Sequence, residues 1–501
     1  MDATNAIIKC YRGNAMNNKG QITVFISLVL CILLLFTFTA FEGIRIYTGK
    51  VKAASCVHSV HTGIMADYDR ELFDRYGLLF IDTTYGTDSD AYLEEKISDY
   101  LETSLNGETK NTIYSYNIED ILTTDKVGIL DDDMQQLKNQ IVEYEKHAGL
   151  MDLIDRLENE VSQTSDDIEN AYEDTQREAK EKKDENTQEN GNQERSDGEV
   201  KDPRDELSSM LKGGMLNIVM PQNTLSTKMY PFDAAYNEST DDKDTDFQDI
   251  GKMKTVLNTS ISQNKYSVLQ EQAAFLNYIQ THFSNGVNSM ENSVVKCEME
   301  YMLMGKNSDY ANMEAVVSNL IWMRMPVNYA YLLSDTVKKE EAEAVAIAIC
   351  TATGTLEFEK VVQYLLLGCW AYAESIYEVR NLLAGGKVSY VKSASTWSTD
   401  LNNLALSKDK KSDSGLSYND YLLLMFGMKS KNQINVCYSR MLDLMELNIQ
   451  QSNPNFQIEN CVGSFYMQGK ISLNPLFLSG ASVSSYDYYF MDFICYEEST
   501  R

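Results

Sequence analysis

Two of the four histidines, His58 and His61, lie three residues apart in a stretch with helical hydrophobic spacing. Residues at this spacing share one face of a helix, where two imidazoles could hold a metal ion. A metal site needs further ligands, and spacing alone fixes none of them, although Asp67 lies almost two turns further along. We therefore interpret the pair as surface histidines and predict no metal site here.

An acidic loop is the second candidate for metal chemistry. Asp242, Asp244 and Asp246 imitate the opening of an EF-hand calcium loop. However, Phe247 occupies the position that needs glycine, and Met253 occupies the position that needs a bidentate glutamate. These mismatches argue against calcium, so we predict neither a metal nor a cofactor.

Motifs for enzymatic catalysis are missing from the sequence. GxSxG, HExxH, GxGxxG and the P-loop are all absent, and AGGKVS at 384–389 contains only the Gly-Lys pair of a P-loop. A dense group of charges at 67–75 is most simply explained by pairing along a helix, as between Glu71 and Arg75. The sequence therefore predicts a protein that is not an enzyme, with no catalytic or cofactor-binding residues.

The net charge of −30 over 501 residues makes nucleic acid an unfavourable partner, because phosphate binding needs clustered lysine and arginine.

The nine cysteines include no CxxC pair and mostly lie in apolar runs, which is typical of buried free thiols. A disulfide between Cys461 and Cys495 stays open, because it depends on whether their strands pair. The hydrophobic fraction of 43% is enough for a sizeable core.

The elements that must position any site begin with an uncharged run from Ile22 to Phe41. Twenty residues of helix span about 30 Å, the thickness of a bilayer's hydrocarbon core. A cleaved signal peptide is the closest alternative, but its apolar core is usually shorter, and bulky Phe38 occupies the −3 position for a cut after Ala40. We predict a retained anchor with the basic leader in the cytoplasm.

Three stretches carry a resemblance to a known family: KGQITVFISLVL, ADYDRELFDRYGLLFID and CEMEYMLMGKNSDYANMEAVVSNLIWMRMPVNYAYLLSD. They resemble uncharacterised single-pass surface proteins of Gram-positive bacteria associated with tight-adherence (Tad/Flp) pilus loci. The resemblance implies a location and a system rather than a chemistry. The anchor also partly resembles TadE/TadG-type pseudopilins. Processing of that kind would cut after Gly20, but Phe25 stands where a pilin places glutamate, and the acidic residue here is Glu42.

The remainder of the chain changes character several times. Between 158 and 206 there are 18 acidic and 7 basic residues, a composition that favours a disordered linker. Helical spacing dominates 258–450, where one predicted helix ends at Pro326. The predicted organisation is a cytoplasmic leader at 1–20, a transmembrane helix at 21–41, a membrane-proximal pilin-like region at 42–157, the linker at 158–206, a loop-rich connection at 207–257, a helical bundle at 258–450 and C-terminal strands at 451–501.

The predicted fold class is helix-rich α+β. We expect strands at 78–82, 113–121, 456–467 and 487–496 to form one small antiparallel sheet on the N-terminal helix, with the helical bundle as a large insertion. This outline favours a membrane-anchored extracellular structural or assembly component of a tight-adherence-type pilus or surface system. Its partners would be the lipid bilayer and pilus or assembly proteins; the oligomeric state is left open.

An extracellular membrane-tethered enzyme or ligand-binding ectodomain is the alternative function. It predicts a deep cleft that contains carboxylates or histidines with shifted pKa values.

Overall fold

A computed structural model describes residues 18–86, 92–107, 113–145, 202–220, 225–232, 265–404, 415–477 and 485–496. The chain divides into two compact units. Unit 1 comprises Met1–Asp69, Leu79–Gly128 and Asn460–Arg501, and unit 2 comprises Arg70–Leu78 and Ile129–Glu459. The predicted leader up to residue 17, the acidic linker up to residue 201 and the acidic loop with Asp242 lie outside the described residues.

Unit 1 begins with one long helix, α1 (Asn18–Met65), which runs from the apolar segment into the sheet domain without a break. In its first half, the hydroxyls of Ser27, Thr37 and Thr39 donate to main-chain carbonyls one turn back, at 2.8, 2.8 and 2.9 Å. These bonds satisfy the hydroxyls inside the helix, so the apolar surface is not interrupted by unpaired polar groups. α1 is long and apolar enough to cross a membrane, by length and composition.

Four antiparallel strands form the sheet of unit 1: β1 (Ile81–Asp82), β2 (Tyr116–Gly128), β3 (Cys461–Leu473) and β4 (Tyr486–Cys495). β3 pairs with β2 along one edge and with β1 and β4 along the other. The register shifts three times along β2. The first two shifts lie at Asp120 and Asp125, which both have positive φ, and the third lies between Val127 and Gly128. Such bulges explain why the polar–apolar alternation of this strand is ragged in the sequence.

The core of unit 1 lies between the helices and one face of the sheet. The second half of α1 contributes Ala53, Val57, Val60 and Ile64, and α3 (Tyr92–Asn106) packs beside it. The sheet contributes Phe465, Met467, Ile471, Phe490 and Ile494. The prediction of an antiparallel sheet on the N-terminal helix is thereby confirmed, together with the helix-rich α+β class.

Unit 2 is helical. Its larger part, Ile129–Glu459, is inserted between β2 and β3, and its smaller part, Arg70–Leu78, precedes β1. Its helices are α2 (Arg70–Tyr76), α4 (Asp131–Glu145), α5 (Pro203–Leu211), α6 (Met215–Val219), α7 (Lys265–His282), α8 (Glu298–Met304), α9 (Asp309–Ser334), α10 (Thr336–Thr353), α11 (Glu359–Leu383), α12 (Tyr418–Gly427) and α13 (Lys431–Ile449). The side chain of Asp335 caps α10 by accepting from the main chain of Val337 and Lys338, as its position before the apolar run predicts.

α5 and α6 lie where the sequence predicts the end of a linker and a loop-rich connection. Asp202 caps α5 and Pro203 occupies its first position, which is a recognised start signal for helices. The strongly acidic composition around this Asp-Pro pair favours disorder, and so the sequence predicts a linker here despite the local start signal for a helix.

Two finer expectations are wrong. The first concerns α9, which continues through Pro326 to Ser334 instead of ending there. The proline removes one N–H that would bond to the Trp322 carbonyl, but Trp322 lies on an exposed side of the helix, where water can bond to that carbonyl instead. The disulfide between Cys461 and Cys495 that the sequence leaves open does not form, because the register puts Ser464 opposite Cys495, three residues from Cys461.

The second wrong expectation is the pairing of Glu71 with Arg75. The Arg75 guanidinium instead donates to the main-chain carbonyls of Asn448 and Asn292, at 3.1 and 3.0 Å. Glu71 accepts a hydrogen bond from the hydroxyl of Ser452. Residues far away in the sequence thus provide better partners for both charges than the neighbouring helical turn does.

Candidate functional site at the helix–sheet junction

The first charged residues after the apolar run, Glu42 and Arg45, are almost completely buried. They are three residues apart on α1 and therefore lie on one face of the helix. Arg45 donates from Nε to Glu42 Oε2 at 3.2 Å and from Nη2 to Glu42 Oε1 at 2.8 Å. This bidentate pair is the geometry in which a guanidinium and a carboxylate bind most strongly.

The remaining donors of Arg45 bind the sheet. Nη1 donates to the carbonyl of Ile113 at 2.9 Å, and Nη2 donates to the carbonyl of Asn474. Ile113 precedes β2 and Asn474 follows β3, and these two chain segments are themselves bonded between Asn474 N and Ser115 O at 3.0 Å. We call the Glu42–Arg45 pair and these carbonyls the junction clamp, because they attach α1 to the end of the sheet.

The junction clamp also fixes the chain that follows β3. The N–H of Leu476 donates to Glu42 Oε1 at 3.3 Å. The ring of Phe477 stacks on Phe38, with 5.0 Å between centroids, and meets Phe41 edge-on at 5.6 Å. The chain after β3 therefore returns to the last turn of the apolar helix, immediately before the first charge.

Above the clamp, the backbone of α1 lies directly against the sheet. A Cβ added to Gly49 would lie 2.7 Å from Leu473 Cδ2, so a larger residue here would have to displace the buried side chain of Leu473. The Tyr116 hydroxyl donates to the Gly49 carbonyl at 3.1 Å. Lys52 donates to the Leu105 carbonyl at 2.7 Å and lies over the ring of Tyr116. The helix, strands β2 and β3, and α3 are thus attached to one another at this end of the unit.

At the other end of the packed half of α1, His61 Nδ1 lies 2.8 Å from Asp492 Oδ2, and its Nε2 lies 3.0 Å from Met65 Sδ. The Tyr496 hydroxyl donates to the carbonyl of Ile64 at 2.7 Å. The rings of His58 and His61 are 6.2 Å apart. In the described ranges no group of three or more potential metal ligands is found, and His61 contacts the sheet instead.

Asp67, the first of the charged residues at 67–75, has a structural role. Its carboxylate accepts from the hydroxyls of Tyr85 and Tyr100, at 3.3 and 3.0 Å, and pairs with Lys96 at 2.8 Å. Burial, and then the charge of Asp67, raise the pKa of Tyr85 far above its usual range. Both tyrosines therefore act as neutral hydrogen-bond donors that hold the end of α1 to α3.

Unit 2 contains a buried ionic network. Arg324 makes a bidentate pair with Glu378 at 2.9 and 3.1 Å, and Lys392 Nζ contacts Glu374 and Glu378 at 2.7 and 2.6 Å. Burial would raise the pKa of Glu378, but the charges of Arg324 and Lys392 outweigh it and lower that pKa to about 2. Because every charge has an opposite partner and none is accessible, the network is suited to holding α9 against α11.

A second buried acid lies in α8. Burial raises the pKa of Glu300 to about 7, although Oε1 accepts from the Tyr418 hydroxyl at 2.6 Å and from the N–H of Gly286 at 2.8 Å. Oε2 has no hydrogen-bond partner among the described residues. This is a shifted carboxyl group, but it is fully buried and does not line a cleft.

Unit 2 also has an open groove, lined among others by Pro203, Glu206, Glu341, Ala348 and Asn402. Burial and the neighbouring charge of Asp400 raise the pKa of Glu341. The lining offers no histidine, cysteine or hydroxyl that could act as a nucleophile next to a base. The Gly-Lys pair at 384–389 ends α11, and Gly385 adopts φ +80° there, so this stretch is a helix stop.

The sequence identifies Glu42 as the acidic residue of the anchor, but its pairing with Arg45 and the contacts of Phe477 appear only in the structure. The signal was present in FEGIR, where an acid and a base at i and i+3 follow directly after an uncharged run. The carbonyl partners and Phe477 have no such local signal, because they lie far away in the sequence.

A comparison with protein families gives a match over residues 193–473, which is more than half of the chain. The description is a family of unknown function (DUF5702). No curated protein and no solved structure matches the chain. The matched region contains α5 to α13 and β3, whereas α1 and the whole junction clamp lie outside it.

Proposed function

The chain belongs to this family of unknown function, and from that premise we propose that it is a membrane-anchored extracellular structural or assembly component. One observation carries the proposal. A single helix has a first half whose apolar side chains are all exposed and a second half that forms the core of unit 1. In water, so much contiguous apolar surface would cause aggregation, whereas a bilayer accommodates it.

The junction supports a retained anchor over a cleaved signal. A cut near Phe41 would fall within a continuous helix, next to the contacts of Phe38 and Phe41 with Phe477. It would also fall directly before Glu42, which is buried in the clamp. Signal peptidases cut after a small-x-small site that follows the apolar core, whereas here bulky Phe38 occupies the −3 position and contacts Phe477. The basic leader favours a cytoplasmic N-terminus and an extracellular C-terminal region.

The assignment to a tight-adherence-type pilus or surface system rests on the resemblance of the sequence stretches quoted above. It is consistent with a long N-terminal helix packed on an antiparallel sheet, which is a pilin-like outline. Phe25 lies exposed on the apolar half of α1 and offers no carboxylate for the contact that pilins make during assembly. We therefore propose an anchored component associated with the system, without polymerisation through that residue.

The test is extraction of membranes from cells that produce the full chain, followed by N-terminal sequencing. We expect the protein to stay in the membrane after a carbonate wash, with either the intact leader or Gln21 at its N-terminus. A mature protein that begins near Phe41 and washes off would refute the anchor.

Cross-linking in intact cells tests the partners. Pilus or assembly proteins cross-linked to the wild-type chain, and not to a variant that lacks the span from Ile22 to Phe41, would support the assembly role. Cross-links to none of them would refute it while leaving the anchor in place.

A further inference from the structure

Leu476 and Phe477 form an apolar step beside α1, at the level where its charged residues begin. Their side chains are 46% and 43% exposed, although both lie directly after a strand whose inner residues are fully buried. Phe477 contacts Phe38 and Phe41, which belong to the exposed apolar surface of the helix. The apolar surface of the proposed span therefore continues without a break from the helix onto the chain after β3.

The height of this step follows from helix geometry. At 1.5 Å per residue, a helix from Ile22 to Phe41 spans about 30 Å, so Phe41 lies at the outer boundary of the hydrocarbon core when Ile22 lies at the inner one. A ring that packs against Phe38 and Phe41 lies at that same boundary. Aromatic side chains are enriched at this level of membrane proteins, where apolar and polar surroundings meet.

The neighbouring charges do not oppose contact with lipid. Glu42 and Arg45, the nearest charged groups on α1, neutralise each other and are buried. The same pair determines where the step lies, because Glu42 accepts from the N–H of Leu476 and Arg45 donates to the carbonyl of Asn474. The junction clamp thus removes charge from the membrane surface and positions two apolar side chains there.

Resting on the proposed anchor, we propose that Leu476 and Phe477 enter the outer interfacial layer of the bilayer beside α1. Unit 1 is then attached to the membrane at two adjacent points instead of by the helix alone. A single helix allows rotation and tilt of the domain that it carries, whereas two points of contact fix one orientation of the sheet. The occupant of this surface is lipid, because the surface is continuous with the span itself.

The experiment is quenching by lipids with brominated acyl chains. The full chain with Phe477→Trp is reconstituted into phosphatidylcholine vesicles with and without bromine. Phe493→Trp is the matched control, because Phe493 is also a phenylalanine that is 43% exposed. It pairs with Tyr466, which lies seven residues before Leu473 on β3, or about 23 Å away along the strand. The native Trp322, Trp370 and Trp397 all belong to unit 2 and give the same background in every sample.

We expect the additional fluorescence of Phe477→Trp to be lost in brominated vesicles and that of Phe493→Trp to persist. Leu476→Trp is the second variant and should behave like Phe477→Trp. Hydrogen exchange of β3 shows which variants keep the native sheet, and only those are compared. Equal quenching at positions 477 and 493, or no quenching at 476 and 477, overturns the inference.

Two further measurements separate the alternatives. Wild-type protein that resists carbonate in the same vesicles, together with unquenched fluorescence of the Phe477→Trp variant, would refute the membrane step and leave the anchor intact. Protein that carbonate removes would refute the anchor itself. If a second copy covers position 477, quenching of the Phe477→Trp variant should fall as the protein-to-lipid ratio rises. Quenching that is independent of this ratio supports lipid contact.

Discussion

The replacement of Arg45 by methionine provides the sharpest test of the junction clamp. Methionine keeps the unbranched apolar stem and removes the guanidinium. Glu42 then remains buried, with only 1% of its surface exposed, and keeps only the N–H of Leu476 among the partners described above. The carbonyls of Ile113 and Asn474 lose their charged donor at the same time.

The size of the effect follows from burial. Removing one partner of a buried ion pair costs about 3–5 kcal/mol, because the other charge is left without compensation in a poorly solvated site. The doubly substituted variant, Glu42→Leu with Arg45→Met, removes both charges and leaves only neutral main-chain groups unpaired. Each such group costs on the order of 1–3 kcal/mol when it is fully buried, and less at this partly exposed edge. We therefore expect the double variant to be more stable than Arg45→Met alone.

Hydrogen exchange of β3 amides, measured by mass spectrometry in detergent or nanodiscs, reports on unit 1 alone. Tryptophan fluorescence does not, because all three tryptophans belong to unit 2. A loss of about 3–5 kcal/mol in local opening free energy speeds exchange by about 150- to 5,000-fold. Lys470→Gln is the control on the same strand; it breaks a surface pair with Glu119 and should change exchange little.

Two outcomes would contradict this reasoning. If Arg45→Met leaves β3 exchange close to that of wild type, the clamp does not hold the sheet to α1. The single variant Glu42→Leu completes the comparison. If the loss of opening free energy in the double variant equals the sum of the losses in Glu42→Leu and Arg45→Met, the two charges act independently, and the bidentate pair is not what stabilises the junction.

Three further predictions follow from other sites. Gly49→Val should destabilise unit 1 by about 1–3 kcal/mol through overpacking against β3, measured by the same exchange experiment. The pKa of Glu378 is lowered to about 2 by Arg324 and Lys392, so its stabilisation is present above the ordinary value of 4.5 and lost as pH falls towards 2. Acid titration of tryptophan fluorescence should show this loss, and Glu378→Gln should flatten it. The pKa of Glu300 is raised to about 7, so unit 2 should lose stability, on the order of 3 kcal/mol, as pH rises from 4.5 to 7. Glu300→Gln should abolish that dependence and raise the melting temperature at pH 8. A lower melting temperature would contradict the raised pKa, because it would show that the buried site favours the ionised carboxylate.

Most of unit 1 could be predicted from the sequence, because its elements have strong local signals. The uncharged run that starts at Ile22, the helical spacing of Val57, Val60 and Ile64, and the aromatic strands near the C-terminus each indicate one element. The expectation that these strands form one sheet was based on a pilin-like outline. The structure confirms the single sheet. The exact ladder did not follow, since the bulges at Asp120 and Asp125 depend on left-handed backbone conformations that aspartate only tolerates.

The junction clamp shows where sequence reasoning stops. The pairing of Glu42 with Arg45 is local and could be derived from their spacing. Their other partners are main-chain carbonyls, and the carbonyl of Asn474 is separated from Arg45 by 429 residues. A carbonyl carries no sequence information, so nothing in the chain marks Ile113 or Asn474 as ligands of a buried guanidinium. Pro326 is the opposite case, because a strong local signal for a helix end was overridden by packing along α9.

The route of the chain explains how a sheet can include strands from opposite ends of the sequence. Gly128, the last residue of β2, pairs with Val462 at the start of β3, so the chain leaves unit 1 and returns to it at neighbouring positions. Arg70–Leu78, the shorter segment of unit 2, also begins and ends at neighbouring positions, because Asp69 donates its N–H to the carbonyl of Phe80. The entropic cost of closing a loop grows only slowly with its length, so the size of unit 2 hardly affects the closure of the sheet. Contacts within unit 1 itself therefore close the sheet at both points where the chain leaves the unit.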